Sequence, residues 1–115
     1  MSSLETATLE DVWKDIEAKL SDKQEPYAGT TATYEIQITD EDASYVLRFD
    51  NGNLSIHAGA AENADCTLKM KDAIFRKFLA GNLNSMTAFM TGKLKVDGNI
   101  GLALKLESML KEYQF

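Results

Sequence analysis

The sequence has few of the residues that characterise disulfide-linked, secreted or membrane-spanning proteins. Its 115 residues include one cysteine, one proline, one histidine and one tryptophan. The lone Cys66 cannot form an internal disulfide, and residues 1–5 show neither the basic nor the apolar region of a signal peptide. No apolar run reaches the roughly 18 residues that span a bilayer. We therefore expect a single domain over residues 1–115, located in the reducing cytoplasm.

Basic charge and catalytic side chains are also scarce. The net charge of -6 argues against tight nucleic-acid binding, which needs a basic surface. His57 is predicted to face solvent and Cys66 to be buried, so we find neither a serine triad nor a zinc site. A buried thiol in apolar surroundings is generally inert. The sequence therefore predicts no enzymatic activity, no metal and no cofactor.

The charge that is present is unevenly spread. Residues 1–65 carry 14 acidic and 4 basic side chains, whereas residues 66–115 carry 4 acidic and 8 basic ones. Four lysines occupy the outward positions of two predicted strands: Lys69, Lys71, Lys93 and Lys95. The simpler explanation is that they keep a sheet edge soluble and unpaired. The alternative is a transient contact with an anionic membrane surface.

The first half of the chain shows a helical pattern followed by strict alternation. Apolar residues at helical spacing predict a helix from Leu9 to about Leu20, with Thr8 as its N-cap. Pro26 and Gly29 then interrupt helical structure. Alternation predicts three strands of a meander, around Tyr34–Thr39, Tyr45–Asp50 and Leu54–Ala58. In the second of these, Val46 takes an outward position.

In the second half, strands alternate with helices. A fourth strand is predicted over Cys66–Lys71 and a fifth around Leu94 and Val96. Three side chains are predicted helix N-caps: Asp72, Asn84 and Asn99. Gly81 and Gly92 are expected to end the two short helices, and the last helix to run to about Tyr113. The pattern as a whole predicts an α+β domain.

The last predicted helix has more apolar surface than a sheet alone can cover. Its apolar residues are Ile100, Leu102, Ala103, Leu104, Leu106, Met109 and Leu110. They surround well over half of the helix, whereas a helix lying on a sheet needs a stripe of only about 100°. The excess requires a partner chain or an apolar ligand. Methionines and aromatics in the two preceding helices suit an adaptable ligand pocket, although ordinary core packing is the simpler explanation of them.

The segment from Ala64 to Leu106 resembles the sterol carrier protein 2 family of lipid-transfer domains. The resemblance is carried by Ala64–Thr67 entering a strand, by Phe75, and by residues 92–106. This last run is Gly-Lys-Leu-Lys-Val-Asp-Gly-Asn-Ile-Gly-Leu-Ala-Leu-Lys-Leu. The resemblance implies a five-stranded mixed twisted sheet covered on one face by helices, with an apolar cavity between the layers. It also implies binding of fatty acids, fatty acyl-CoA, phospholipids or sterols.

We therefore predict a non-enzymatic lipid-binding protein, with lipid transfer as a further expectation. The expected cavity wall is Trp13, Ile16, Phe75, Phe78, Leu79, Met86, Phe89, Met90, Leu102, Leu106, Met109 and Leu110. The expected partner is a small lipid ligand, and the protein is a monomer or weak homodimer. Two alternatives use the apolar last helix differently: a dimerisation or protein-interaction module, and a subunit that presents lipid to a separate enzyme.

Overall fold

The computed structural model describes residues 6–115, so residues 1–5, which bear on the signal-peptide prediction, lie outside it. Four α-helices are present: α1 (Leu9–Asp22), α2 (Asp72–Ala80), α3 (Ser85–Met90) and α4 (Ile100–Leu110). The strands are β1 (Thr31–Ile38), β2 (Ala43–Asp50), β3 (Asn53–Ala58), β4 (Cys66–Met70) and β5 (Leu94–Gly98), and a 3-10 turn spans Glu25–Tyr27. Within this part of the chain, no helix combines the length and hydrophobicity needed to cross a bilayer.

The helices begin where capping side chains satisfy free backbone N–H groups. Thr8, Asn84 and Asn99 accept hydrogen bonds from N–H groups of the first turn, as predicted. The prediction for Asp72 is wrong by one position, because Lys71 occupies the N-cap of α2. The backbone N–H of Asp72 instead donates to the Asp40 carboxylate at 2.8 Å. The Asp72 side chain is left free to pair with Arg76 at 2.9 Å.

The five strands form one mixed sheet in the order β3-β2-β1-β4-β5. Strands β1 and β4 run parallel, and the other neighbours are antiparallel. In this register Ile36 lies beside Tyr45 on one side and Leu68 on the other. Since side chains alternate across a strand, the apolar residues at alternate positions of all five strands, apart from Val46, share the face that the helices cover. The predicted α+β fold is therefore confirmed.

The core lies between this inner face and the helices. Trp13 of α1 stacks between Tyr45 of β2 and Phe75 of α2, with ring centroids 4.5 and 5.3 Å away. Phe49 packs against Tyr27 and edge-on against Tyr34. Stacked and edge-on aromatic pairs contribute beyond the area that they bury. The first group of rings joins α1, α2 and β2, and the second joins the 3-10 turn to β1 and β2.

The outer face of the sheet is less exposed than the alternating pattern predicts. Val46 and Glu35 face outward but are buried. The loop after β3 returns over them, and the backbone N–H of Ala61 donates to Glu35 Oε1 at 3.2 Å. Gln37 donates to the other oxygen of the same carboxylate at 2.8 Å. A loop held by this carboxylate thus covers a valine that the strand pattern alone assigns to solvent.

The chain turns sharply after α4. The helix ends at Leu110 instead of continuing to about Tyr113. Residues 111–115 then cross to the end of α1, where the Tyr113 phenol donates to the carbonyl of Lys23. The Lys23 ammonium donates to the Glu112 carbonyl at 3.1 Å. Burying Tyr113 against α1 is incompatible with one more helical turn, and this long-range contact explains the earlier stop.

Candidate functional site

Eight of the twelve predicted wall residues lie together in the helix–sheet core. None is more than 5% exposed, and all belong to one apolar cluster: Trp13, Ile16, Phe75, Phe78, Leu79, Leu106, Met109 and Leu110. Leu102 is half-buried and packs against this cluster. Three helices, α1, α2 and α4, therefore contribute to one apolar cluster between the helical layer and the sheet. We call these eight residues the inner wall.

The remaining three predicted wall residues lie elsewhere, on the outside of α3. Met86, Phe89 and Met90 are 41%, 40% and 78% exposed. The same helix buries its small residues instead, since Ser85 and Ala88 are each 2% exposed. Small side chains let a short helix approach its neighbours closely, which turns the large ones outward. The structure thus separates these three residues from the inner wall.

Glu107 fixes α3 against α4. This carboxylate is 9% exposed, and its Oε1 accepts a hydrogen bond from the backbone N–H of Ser85 at 3.3 Å. Its other oxygen pairs with Lys111 at 3.3 Å. The sequence reasoning missed this residue. A signal was present, because Glu107 lies four residues after Ala103 and seven after Ile100, on the inward side of the helix.

Two polar atoms inside the helical layer have no hydrogen-bond partner among the described residues. They are the indole N–H of Trp13 and the hydroxyl of Ser85. A buried donor without an acceptor costs about 1–3 kcal/mol. The Trp13 N–H lies at the edge of the inner wall, in the aromatic stack with Tyr45 and Phe75. A ligand oxygen reaching this position would remove that penalty.

Among residues 6–115, three of the hollows open around the rim of the helical layer. The first, of about 420 Å³, lies between α1 and the β3 edge and is lined by Trp13, Tyr45, Ile56 and neighbours on both elements. The second, of about 600 Å³, lies at the end of β4 and β5 and is lined by four lysines. A third, of about 300 Å³, adjoins it between α2 and α3. Trp13 is the one predicted wall residue that lines any of the three.

The two side chains considered for catalysis lie where the sequence predicts. Cys66 is fully buried, and burial raises the pKa of its thiol to about 11, so the thiol stays protonated at neutral pH. His57 is exposed on β3. Among residues 6–115, no three His, Cys, Asp or Glu side chains cluster in a way that would hold a metal ion.

Comparison with known proteins identifies the family. The family model described as the SCP-2 sterol transfer family matches residues 13–111. Sterol carrier protein 2 of Bos taurus is 35% identical over 103 residues, which cover 85% of this chain and 19% of that protein. The chain therefore spans about a fifth of the length of the curated relatives it matches.

Solved structures share the fold over nearly the full length. Sterol carrier protein 2 from Yarrowia lipolytica, in its apo form, is 26% identical with a TM-score of 0.67, covering 99% of this chain and 95% of that one. The Aedes aegypti protein in complex with palmitate is 24% identical with a TM-score of 0.67, covering 96% of each chain. The resemblance in residues 64–106 is thus confirmed, and this chain belongs to the SCP-2 sterol transfer family.

Proposed function

We propose that this protein binds one long-chain lipid against the inner wall, with fatty acids as the first ligand class. The observation that carries the proposal is a cluster of eight buried apolar side chains from three helices in a member of a lipid-transfer family. Palmitate is the ligand of the Aedes aegypti relative. Each buried methylene contributes about 0.8 kcal/mol, so a dozen carbons supply about 10 kcal/mol before entropic costs.

The proposed function is binding and transfer without catalysis, in the cytoplasm. Burial of an apolar chain supplies the driving force, so no reactive group is required. The protonated, buried Cys66 is a poor nucleophile, and the exposed His57 lies on a different strand from it. Release of the lipid to an acceptor is then governed by how readily the helical layer opens.

We propose that α4 and the following residues 111–115 form the gate. Three hydrogen bonds onto backbone carbonyls attach this segment to α1, two of them from the lysines Lys19 and Lys23. The sheet, in contrast, is held by continuous ladders of backbone pairs. Local opening follows the weakest set of contacts. Separating α4 from α1 exposes Leu106, Met109 and Leu110 of the inner wall.

Binding can be tested with the chain's single tryptophan as the reporter. Trp13 lies at the edge of the inner wall, so palmitate should change its emission and saturate at one molecule per chain. Native mass spectrometry should show the same one-to-one adduct, and a W13F variant should keep the adduct while losing the signal. The proposal fails if neither palmitate nor a phospholipid nor a sterol gives an adduct under native conditions.

The gate can be tested by comparing two tyrosines. Deleting residues 107–115 should weaken retention of a fluorescent fatty acid, but it also removes core residues Met109 and Leu110.

A milder variant, Tyr113→Phe, removes only the hydrogen bond to Lys23 and should speed lipid release by up to about fivefold. Tyr27→Phe is the matched control, because Tyr27 donates to Leu20 within α1. Equal release rates in both variants would exclude the gate.

A second candidate is an interaction module, either for dimerisation or for presenting lipid to a separate enzyme. The exposed Met86, Phe89 and Met90 favour it, since a protein partner would cover them. Light scattering after size exclusion separates the two functions. A 12.7 kDa monomer that carries lipid supports the carrier, whereas an obligate dimer without lipid supports the module.

A further inference from the structure

The two unpartnered polar side chains of the helical layer belong to different helices. The indole N–H of Trp13 on α1 and the hydroxyl of Ser85 on α3 have no hydrogen-bond partner among the described residues, although these residues are only 5% and 2% exposed. Buried polar groups in native proteins are nearly always paired, so each exception requires an explanation. One ligand that supplies both missing partners explains the two together.

The strand order separates these two groups by most of the width of the sheet. Trp13 stacks on Tyr45 of β2, whereas α3, which begins at Ser85, contacts β5. Strands β2 and β5 are three places apart in the sheet. Neighbouring strands are about 4.8 Å apart, so the two groups lie on the order of 14 Å from each other across the sheet. With bonds of about 1.5 Å in a staggered chain, about a dozen carbons have a length of this order.

The inner wall lies between the two groups. Trp13 stacks on Phe75 of α2, α2 contacts α4, and α4 contacts α3. Ala88, three residues after Ser85 and on the same side of α3, belongs to the same apolar cluster as the inner wall. An apolar chain lying along the inner wall therefore has the Trp13 N–H at one end and the Ser85 hydroxyl at the other.

The Trp13 end suits a carboxylate. An indole N–H can only donate, so its partner must be an acceptor. Trp13 lines the hollow of about 420 Å³ between α1 and β3, together with the exposed Lys14, His57, Glu10 and Glu17. Glu10 is already paired with Lys14 at 3.3 Å. A carboxylate at this open edge keeps contact with water, which lowers the cost of placing a charge beside the apolar core.

The Ser85 end suits a neutral hydroxyl. Beside Ser85 lies the Glu107 carboxylate, which is 9% exposed and accepts the Ser85 N–H at 3.3 Å. A second carboxylate here would be repelled by the first, and a methyl group would leave the Ser85 hydroxyl unpaired. A ligand hydroxyl can accept from the Ser85 hydroxyl and donate to Glu107 Oε1, because a carboxylate oxygen accepts more than one hydrogen bond.

We propose that the preferred ligand is a fatty acid that also carries a hydroxyl at the far end of its chain. Its carboxylate accepts the Trp13 N–H, its chain lies along the inner wall, and its terminal hydroxyl pairs with Ser85 and Glu107. The inference rests on the proposed function, because the same inner wall binds the chain. It adds selection at the far end of the chain, where a purely apolar wall would disfavour a hydroxyl.

Calorimetric titration of the full chain with dodecanoate and ω-hydroxydodecanoate compares two ligands that differ by one hydroxyl. The wild type should bind the hydroxylated acid about tenfold more tightly, because its hydroxyl supplies the partner that Ser85 lacks. Ser85→Ala should lose this preference. Ser55→Ala is the matched control, because it removes an exposed hydroxyl from β3 and should keep the preference. Trp13→Phe should weaken both acids by a similar factor of about five, since both carry the carboxylate.

Two results would overturn this selection: equal or tighter binding of dodecanoate by the wild type, or an undiminished preference for the hydroxylated acid in S85A. Misfolding of S85A is a separate outcome that urea unfolding detects. Its midpoint should be no lower than that of the wild type, because the variant removes an unpaired buried hydroxyl. Binding of palmitate and dodecanoate without any preference for the terminal hydroxyl contradicts this inference alone. Failure of all three acids to bind contradicts the proposed binding of fatty acids as well.

Discussion

At the scale of single residues, Gly98 is the glycine at which an added side chain would meet the closest contact. Its φ is +96°, and a Cβ built on it would lie 2.5 Å from the backbone oxygen of Asp65. That oxygen also accepts the N–H of Asn99, and the Asp65 carboxylate accepts the N–H of Thr33. Gly98 thus lets the end of β5 approach the start of β4 at the point where β1 joins them.

Gly98→Ala should destabilise the fold by at least about 2 kcal/mol, because it combines an unfavourable φ with a backbone clash. Gly29→Ala is the matched control, since a Cβ added at Gly29 would have no atom within 4 Å and the φ of this residue is not in the left-handed region. That control should lie within about 1 kcal/mol of the wild type. Urea unfolding of both variants measures the difference. Similar midpoints for the two would show that β4 and β5 can separate at little cost.

Cys66 makes stability depend on pH in the alkaline range. Its thiol has a pKa of about 11 in the native protein against 9.0 for an unperturbed thiol, chiefly because it is buried, with a smaller contribution from Asp65. Between these values the unfolded chain loses the proton and the native chain keeps it. The unfolded state then binds fewer protons, so stability must fall as the pH rises through this window.

The expected result is a smaller free energy of unfolding at about pH 10.5 than at about pH 8, with part of the decrease abolished in C66A. Four tyrosines whose phenol pKa values are also raised by burial contribute to the part that remains: Tyr27, Tyr34, Tyr45 and Tyr113. Urea titrations at the two pH values measure both contributions. An identical pH dependence in the wild type and C66A would mean that the thiol is accessible in the native state.

At the scale of elements, α3 depends on one buried carboxylate. Glu107→Ala removes the acceptor for the Ser85 N–H and leaves a buried donor unpaired, at a cost of about 1–3 kcal/mol. Glu107→Gln keeps the Oε1 acceptor and loses only the pairing with the half-exposed Lys111. Hydrogen exchange should therefore accelerate across residues 85–90 in E107A and change little in E107Q. Equal exchange in both variants would place the anchor of α3 elsewhere.

Local patterns predicted most elements, and contacts between distant residues decided the rest. Alternation and capping residues located the strands and three of the four helix starts, because these signals arise within a few residues. The buried Val46 depends on a loop held by Glu35, and the end of α4 depends on Tyr113 reaching α1. Neither contact is visible in a local pattern. In α3, apolar residues alone could not show that small side chains would face inward.

At the scale of the whole molecule, the clustering of the eight inner-wall residues was predictable because apolar residues from three helices must share one small core. The chain's radius of gyration of 12.9 Å leaves room for a single such layer over a five-stranded sheet. The proposed lipid position within that layer requires the helices to move apart, because the inner wall is closely buried. Sequence patterns specify which faces are apolar. They do not specify whether those faces pack against the protein's own side chains or against a bound lipid, because the balance between the two depends on small differences between large energies.

That balance leads to a thermodynamic prediction for the intact protein. A ligand that binds only the native state stabilises it by about 2.7 kcal/mol at one hundred times its dissociation constant. Palmitate at that concentration, with the constant taken from Trp13 emission, should raise the free energy of unfolding by this amount. Tyr113→Phe should show the same stabilisation when palmitate is present at one hundred times the dissociation constant of that variant. If Trp13 responds to palmitate while stability is unchanged, the lipid binds native and unfolded chains alike, and the inner wall is not its site.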